Sequence, residues 1–357
     1  MSEGLSAAAS PAASGTVPFE FRGTGGEYFR IWIVNLLLTI LTLGIYSAWA
    51  KVRRLRYLYG STSIAGSAFE YHGQPMQILK GRLIAVGAFA LYGFITRYWP
   101  LTTLLFLPLF ALLLPFVIVL SRRFQMRMTS WRNIRFGFHG EYGGALAAYV
   151  GWGIVAVISL YLLLPLWLRK RVGFLVDNTS FGTSRLRLAA TVGRFFGIYY
   201  ATMGLGLLAF LALGSVMAGA AAGLSANGAG GLSPAAVGAF GVAFVLGILL
   251  VPLALGAFWE RAFANATYDG IAVGPHRINC RIRYGRLLWL YATNVAGVLL
   301  TLGLFYPWAL IRRIRYQFEC MSAEVQGSLD EFAAAAAPEA SATGEAIGEV
   351  FDVDFGF

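Results

Sequence analysis

Two stretches of this chain are nearly the same text: NLLLTILTLGIYSAWAKVRRLRY at Asn35–Tyr57 and NVAGVLLTLGLFYPWALIRRIRY at Asn294–Tyr316. They align without a gap at an offset of 259 residues and are identical at eleven of 23 positions. Identity at this level indicates an internal repeat. Each copy begins apolar and ends basic, which predicts an apolar helix followed by a helix end rich in arginine.

Looser copies of this pattern occur three more times. In each, a proline in an apolar run precedes a Thr-Ser pair, or its remnant, by 14 and 15 residues: Pro115 precedes Thr129-Ser130, Pro165 precedes Thr179-Ser180, and Pro252 precedes Ala266-Thr267. Short stretches that alternate apolar and polar residues follow, as in Ser63 to Gly73, and this alternation predicts strands. We therefore predict five units, each made of a helix, a basic helix end and an extended segment.

The composition indicates that the helices lie in a membrane. The chain is 58% hydrophobic and only 13% charged, whereas a soluble domain carries roughly 25% charged residues. A helix needs about 20 apolar residues to cross the hydrocarbon core, and the uncharged run from Phe195 to Trp259 has 65 residues. Seven apolar segments are predicted, at about 28–50, 83–99, 101–121, 142–168, 195–222, 234–259 and 287–311.

Charge and composition set the predicted domain limits. Residues 1–18 are rich in Ser, Ala and Pro without the basic and apolar regions of a signal peptide, so we predict a disordered tail there. No Lys or Arg follows Arg315, and residues 323–357 are predicted to be an acidic flexible tail. Residues 19–322 between them are predicted to form the transmembrane domain built from the repeats.

The distribution of basic residues leaves two arrangements open. If all seven segments are straight spans, the 28 Lys and Arg divide 14 and 14 between the two sides, without a positive-inside bias. If segments one, four and seven instead bend and re-enter, near Leu43-Gly44, in mid-segment and near Leu302-Gly303, the division is 27 against 1, with only Arg97 opposite. Charge bias favours the second arrangement, in which every extended segment emerges on the cytoplasmic side and can pair into one small sheet.

The fold class predicted from these features is an α-helical polytopic membrane protein with internal repeats, made of helical hairpins plus short β segments on the cytoplasmic side. We predict a multi-pass protein of the bacterial inner (plasma) membrane with a cytoplasmic C-terminus. Its predicted partners are membrane lipids, and the Gly/Ala-rich residues 201–232 also suit self-association. The basic residues that give the net charge of +11 flank the apolar runs. This placement indicates contact with anionic lipid and a role in membrane topology rather than binding of nucleic acid.

Few residues stand out as candidates for a site. Asn35 and Asn294 lie at equivalent depth inside apolar segments, where a polar side chain either bonds across helices or lines a substrate path. The histidines follow the Thr positions at similar spacing, so His72, His139 and His276 are a weak candidate set for zinc; the alternative is that they merely end strands. Cys280 and Cys320 form no CxxC motif.

Repeated basic clusters are predicted to determine topology and also to suit anionic head groups. They comprise Arg53, Arg54, Arg56, Arg122, Arg123, Arg169, Lys170, Arg171, Arg312, Arg313 and Arg315. The sequence contains no nucleophile, metal or phosphate-loop motif of an enzyme, so no catalytic residue and no cofactor are predicted.

Three stretches carry a resemblance to a known family: FEFRGTGGEYF at 19–29, NLLLTILTLGIYSAWAKVRRLRYLYGSTSIAGSAFEYHG at 35–73 and TLGLFYPWALIRRIRYQFE at 301–319. They resemble the YjgN family of bacterial inner-membrane proteins, over roughly residues 18 to 322. The resemblance implies a location and a fold family, and it implies no activity.

Two functional interpretations remain open. Internal repeats and broken helices with polar groups favour transport or handling of a lipidic or weakly charged substrate. The alternative is a non-transporting scaffold or binding protein that meets lipid or a soluble partner, unidentified from the sequence, through its cytoplasmic face. A polar cavity between the helices favours the first, and an exposed strand edge favours the second.

Overall fold

The computed structural model describes residues 15–225 and 233–336, which form five units of one strand, a pair of helices and a second strand. The strands are β1 Gly15–Phe21, β2 Thr62–Ile64, β3 Ser67–Tyr71, β4 Thr129–Trp131, β5 Ile134–Phe138, β6 Thr179–Phe181, β7 Ser184–Arg187, β8 Ile271–Val273, β9 His276–Cys280 and β10 Met321–Val325. The helices are α1 Gly25–Leu41, α2 Ser47–Gly60, α3 Pro75–Tyr98, α4 Thr103–Arg127, α5 Tyr142–Leu146, α6 Trp152–Ile158, α7 Leu164–Asp177, α8 Val192–Ser225, α9 Pro234–Tyr268, α10 Tyr284–Leu300 and α11 Tyr306–Glu319.

The ten strands close into one antiparallel barrel, and their order around the ring follows the chain. Neighbouring strands are joined alternately by a two-residue turn and by a pair of helices, so all five helical pairs leave from and return to the same end of the barrel. The ring closes where β1 pairs with β10, with Pro18 opposite Ser322. The predicted small sheet is therefore a closed barrel: the described strands leave no unpaired edge, because each has a partner on both sides.

The two-residue turns lie at the end of the barrel away from the helices. Ala65–Gly66 and Arg132–Asn133 have positive φ at both positions, as in the type I′ turn, whose twist matches that of paired strands. Gly182 and Gly274 have φ of 53° and 58° at the first turn position, which a type II′ turn assigns to glycine.

Aromatic side chains fill the barrel. Trp131 is 5% exposed, and its ring centroid lies 5.7 Å from that of Phe181 and 6.4 Å from that of Phe69. Phe136 lies 5.1 Å from Phe181. The Trp131 Nε1–H donates to the carbonyl of Ser67 at 3.1 Å, so the polar atom of the buried indole is satisfied.

A helix over residues 329–336, α12, covers the turn end of the barrel. Phe332 stacks on Phe181 with ring centroids 5.8 Å apart. Ala336 is 1% exposed and lies against Gly182 so closely that a Cβ there would not fit. Asp330 pairs with Arg132 on the rim. This helix thus closes the turn end of the barrel.

The helical pairs differ in reach. Helices α1 and α10 have 17 residues and α8 has 34, which at 1.5 Å per residue are lengths of roughly 25 Å and roughly 50 Å. Four stretches, residues 75–98, 100–127, 192–223 and 235–268, are long and apolar enough to cross a membrane. At most 11% of the most apolar window of each is buried within the protein, which leaves their apolar surface available to lipid.

The remaining three apolar segments are broken into pairs of shorter helices, here called the broken hairpins. Each turn is held by a hydroxyl, that of Thr42, Ser159 or Thr301, which accepts from the backbone N–H four residues ahead at 2.9–3.1 Å. The same hydroxyl donates to a carbonyl of the preceding helical turn. The first and last helices break at Leu43–Gly44 and Leu302–Gly303, which are two of the three places at which the sequence predicts a bend.

The central broken hairpin bends without glycine. Leu160 and Tyr161 adopt φ of 50° and 65°, and Tyr161 occupies the position held by Gly44 and Gly303 in the other two. A side chain in this region costs roughly 1–2 kcal/mol per residue, and the two hydrogen bonds of the Ser159 hydroxyl offset this cost at the turn. This explains why residues 142–168 carry no turn signal in the sequence.

Both predicted tails are too long. Strand β1 already begins at Gly15, and Ala323–Val325 lie in β10 ahead of α12. The acidic side chains of residues 323–336 are exposed, as at Glu324 and Glu331, whereas alanines such as Ala323 and Ala333 are buried. Residues 1–14 and 337–357 lie outside the described residues, as do residues 226–232 of the predicted Gly/Ala/Ser-rich turn.

Candidate functional site

Asn35 and Asn294 hold the first and last broken hairpins together. The Nδ2 amide of Asn35 donates to the carbonyl of Ala50 at 3.4 Å, and that of Asn294 donates to Ala309 at 3.1 Å. Both side chains are buried. Each bond joins the first helix of its pair to the second. A bond across helices is one of the two roles that the sequence allows for these residues.

Several residues of the basic clusters tie each helical pair to the strand of the next unit. In every unit an Arg or Asn side chain on the second helix donates to a carbonyl just after the first strand of the next unit, at 2.7–3.2 Å. The donors and acceptors are Arg56 and Gly73, Arg123 and Gly140, Arg169 and Ala190, Asn265 and Ile282, and Arg315 and Gly23. The last of these bonds joins the final unit to the first, so it helps to close the ring.

Most of the other cluster residues also have protein partners. Arg53 donates to the Tyr46 hydroxyl at 3.3 Å, Arg312 donates to Asn294 Oδ1 at 2.8 Å, Arg313 donates to Glu260 at 2.9 Å, and Lys170 lies 5.3 Å from the Trp152 ring centroid. Arg54 faces a cavity of the first broken hairpin. Arg122 and Arg171 remain, and both line one groove.

This groove, the lateral groove, lies between the α3–α4 pair and the central broken hairpin and has a volume of about 630 Å³. Its walls are apolar, and its lining residues are Ile84, Ala85, Ala88, Phe89, Phe110, Leu113, Leu114, Phe116, Val117, Ile118, Ser121, Arg122, Gln125, Tyr149 and Arg171. Phe89 is 60% exposed, so the groove is accessible from the side of the helical bundle.

One end of the lateral groove is cationic. The Arg171 guanidinium carbon lies 4.9 Å from the ring centroids of both Tyr149 and Trp167, and its Nε is buried without a hydrogen-bond partner. Arg122 contacts the Gln125 side chain at 3.4 Å. None of the described residues that line the groove is Asp or Glu. Two guanidinium groups without a carboxylate are suited to an anionic oxygen group.

The three histidines do not form one set. His72 and His139 follow β3 and β5 and lie 2.7 Å and 2.9 Å, through Nε2, from the hydroxyls of Ser130 and Ser180. His276 instead begins β9. The position equivalent to His72 and His139 is the residue just after β9, which is five residues, or about 16 Å, further along the strand. The sequence equivalence of His276 is therefore wrong, because Ala266-Thr267 lies inside α9 and the residue equivalent to Thr129 is Ile271.

The corrected alignment of the fourth unit also changes which of its residues corresponds to the proline of the other units. Pro115, Pro165 and Pro307 are almost completely buried, 14 residues before their strands, and in the fourth unit Ala257 occupies this position at 0% exposure. Pro252 lies five residues earlier in α9. Among the described residues, no three His, Cys, Asp or Glu side chains come together in a way that could hold a metal ion.

His276 contacts both α12 and the segment that precedes it. Its Nδ1 accepts the backbone N–H of Gln326 at 3.2 Å, and its ring packs edge-on against Phe332 with centroids 4.5 Å apart. Burial lowers the pKa of His276 below its ordinary value of 6.5. The folded state therefore favours the neutral ring, so the stabilisation is complete above pH 6.5 and is lost as the pH falls toward the lowered pKa.

We expect acidification from pH 7.5 to pH 5 to lower the protection of residues 326–336 in hydrogen exchange, after correction for intrinsic rates, because a protonated Nδ1 cannot accept from Gln326. His276→Gln, which has no titrating group, is the control and should show the same protection at both pH values. Equal protection of the unmodified chain at both pH values would contradict this role for His276.

The two cysteines are poor nucleophiles and metal ligands. Cys280 is buried, and burial together with Cys320 and Asp269 raises its pKa to about 12. Burial also raises the pKa of Cys320. Both thiols stay protonated at neutral pH, whereas a reactive cysteine needs the thiolate.

Tyr149 and Gln125 of the lateral groove were missed in the sequence. Tyr149 lies within an uncharged run, where it reads as one more aromatic residue of a membrane segment. The sequence did offer one signal. Tyr149, Trp152 and Trp167 belong to the apolar segment that ends at Lys170 and Arg171, and aromatic rings commonly cover arginine.

Comparison with known proteins assigns the chain to a family. A family model described as a bacterial protein of unknown function, DUF898, matches residues 16–350. The chain belongs to this family. No solved structure matches the chain.

Similar curated proteins bear the name inner membrane protein YjgN, which confirms the family resemblance of the motifs. The protein from Escherichia coli strain K12 is 32% identical over 230 residues, which are 55% of this chain and 56% of the relative. That from Salmonella typhimurium strain LT2 is 29% identical over 177 residues, which are 48% of this chain and 44% of the relative. The chain thus spans about half the length of the curated relatives it matches.

Proposed function

We propose that this chain is a lipid-handling protein of the bacterial inner membrane that holds an anionic lipid in the lateral groove and has no catalytic step of its own. The observation that carries the proposal is one groove with apolar walls and two arginines at one end, Arg122 and Arg171. The relatives named as inner membrane proteins support the location.

The groove has the size and chemistry of a lipid site. Ligand sites commonly have volumes of roughly 300–1,000 Å³ with a few polar groups that fix the orientation, and the lateral groove has about 630 Å³. Its side walls suit an acyl chain. The planar guanidinium groups suit the phosphate of a head group, which each can bind through two parallel hydrogen bonds.

The basic residues support an orientation with the barrel and the C-terminus in the cytoplasm. Except for Arg97, each Lys and Arg lies on the barrel, in a segment next to it, or within nine residues of the barrel end of its helix. Basic residues next to membrane segments are retained on the cytoplasmic side. In this orientation Arg122 and Arg171 lie near the inner leaflet, where anionic lipids create a negative surface.

Transport is the extension of this proposal, because broken helices beside a binding site are typical of transporters. The alternative in which a soluble partner adds a strand to the cytoplasmic sheet has less support, since the described strands of the closed barrel offer no free edge.

We expect the double variant Arg122→Gln, Arg171→Gln to bind anionic lipid at least about tenfold more weakly, since a hydrogen bond to a charged group contributes about 1.5–3 kcal/mol. The measurement is lipid titration of the purified full chain by native mass spectrometry, with phosphatidylglycerol against zwitterionic phosphatidylethanolamine. The matched control is the double variant Arg22→Gln, Arg97→Gln, which also removes two positive charges but at positions that do not line the groove. Equal binding by both double variants would contradict the proposal.

A further inference from the structure

The first broken hairpin contains a second cavity, the hairpin cavity, of about 470 Å³. It is separate from the lateral groove and lies among α1, α2, α3 and α11. Its lining residues are Tyr28, Ile31, Trp32, Asn35, Leu36, Thr39, Ser47, Ala50, Lys51, Arg54, Arg82 and Tyr306.

Asn35 has an unused hydrogen-bond acceptor in this cavity. The residue is 7% exposed, and its Oδ1 is buried without a hydrogen-bond partner. The equivalent atom of Asn294 accepts from Arg312 at 2.8 Å. Because both asparagines donate through Nδ2 to the same carbonyl position, their amide orientation is the same, and only the Oδ1 of Asn35 lacks a donor.

A single substitution between the two hairpins accounts for this difference. Arg53 is the equivalent of Arg312, but it donates to the Tyr46 hydroxyl at 3.3 Å rather than to Asn35. The residue equivalent to Tyr46 in the last hairpin is Phe305, which has no hydroxyl to accept this bond. Tyr46 therefore draws the arginine away and leaves Asn35 Oδ1 without a donor beside the cavity.

The cavity is polar at positions where the last hairpin is apolar or aromatic. Thr39, Ser47 and Lys51 line it, and their equivalents 259 residues later are Val298, Tyr306 and Leu310. Arg82 reaches in from α3 and donates to the Ser47 hydroxyl. Three cationic side chains, those of Lys51, Arg54 and Arg82, line the cavity without any carboxylate among its described lining residues. A buried acceptor beside three cations suits a ligand with both a donor and a negative charge.

We propose that the hairpin cavity binds a phosphate ester that carries a neighbouring hydroxyl group, as in glycerol phosphate. The phosphate contacts Lys51, Arg54 and Arg82, and the hydroxyl donates to Asn35 Oδ1. This chemistry occurs both in a soluble glycerol phosphate and in the head group of phosphatidylglycerol. The site is independent of the lateral groove.

The test is the affinity of the purified full chain for glycerol 3-phosphate, measured by calorimetry. We expect Asn35→Ala to weaken binding about tenfold, since it removes one hydrogen bond to the ligand. The matched control Asn294→Ala loses the equivalent bond within its own hairpin and should bind like the unmodified chain. Equal affinities of the two variants would overturn the proposal.

A second variant removes no residue that contacts the ligand. Tyr46→Phe copies Phe305 and should release Arg53 to occupy Asn35 Oδ1, which weakens binding about tenfold while the thermal stability is retained. Unchanged binding by Tyr46→Phe would also count against the proposal.

The source of the phosphate ester is decided in a background that carries Arg122→Gln and Arg171→Gln, in which the lateral groove is altered. If this background still binds phosphatidylglycerol, and the further substitution Asn35→Ala abolishes that binding, the ligand is a lipid head group. If the background binds glycerol 3-phosphate but not phosphatidylglycerol, the ligand is soluble. If this background binds neither probe, the site as proposed is wrong, whatever the result for the lateral groove.

Discussion

Replacing Trp131 by alanine is expected to lower the free energy of unfolding by about 3–5 kcal/mol, the range measured for large aromatic residues in protein cores. Trp131 is 5% exposed and contacts Phe69 and Phe181 inside the barrel. Its loss leaves a cavity between strands that contribute only three to five residues each. Chemical unfolding of the purified chain in detergent, followed by circular dichroism, measures the effect.

Two controls separate packing from other causes. Trp131→Phe keeps most of the ring volume and should cost much less than the alanine variant, although it loses the bond to the Ser67 carbonyl. Trp99→Ala changes a side chain that is 60% exposed, and we expect a change within about 0.5 kcal/mol. Similar losses for Trp131→Ala and Trp99→Ala would contradict the account of the barrel core.

Single cysteines at three places are expected to react very differently with a membrane-impermeant thiol reagent added to cells. Leu101→Cys, at the tip of the α3–α4 pair, should react from outside. Ala68→Cys, on the outer face of the barrel, should react only after the membrane is opened. Leu302→Cys, at the tip of a broken hairpin, should resist in both cases, because it is 94% exposed in the protein and lies in the hydrocarbon. All three are made in a chain with Cys280 and Cys320 replaced by alanine.

The two topologies give opposite results. Reaction of Leu302→Cys from outside, to the extent seen for Leu101→Cys, would mean that the last segment is a straight span. Reaction of Ala68→Cys in intact cells would mean that the barrel faces outward and that the charge argument is wrong. The chain with Cys280 and Cys320 replaced and no cysteine added gives the background of the labelling.

Local features of the fold could be predicted because their physical causes are local. The bend at Leu43–Gly44 follows from a Thr, a Leu and a Gly in succession, and Gly44 adopts φ of 92° at little cost. The strand ahead of His72 follows from alternation of apolar and polar residues. The apolar segments follow from composition alone, since the hydrocarbon of a membrane requires long uncharged helices.

The candidate sites depended on contacts between distant residues. Arg122 and Arg171 were recognised as members of basic clusters, but that they share a groove depends on how the α3–α4 pair packs beside the central hairpin. Asn35 and Asn294 look identical in the sequence. Their difference lies in one hydrogen bond of Arg53, which a hydroxyl on Tyr46 redirects.

The sequence by itself determined the membrane location, the five helical units and the residue positions of two of the three bends, because hydrophobic periodicity, charge and glycine act within a few residues of where they occur. The tertiary structure alone decided that the strands close into a barrel, that the helix over 329–336 covers it, and that Tyr161 bends without glycine. Barrel closure pairs Pro18 with Ser322, across nearly the whole chain. The packed interior supplies the free energy that maintains such distant pairs, and the Ser159 hydroxyl bonds maintain the strained turn.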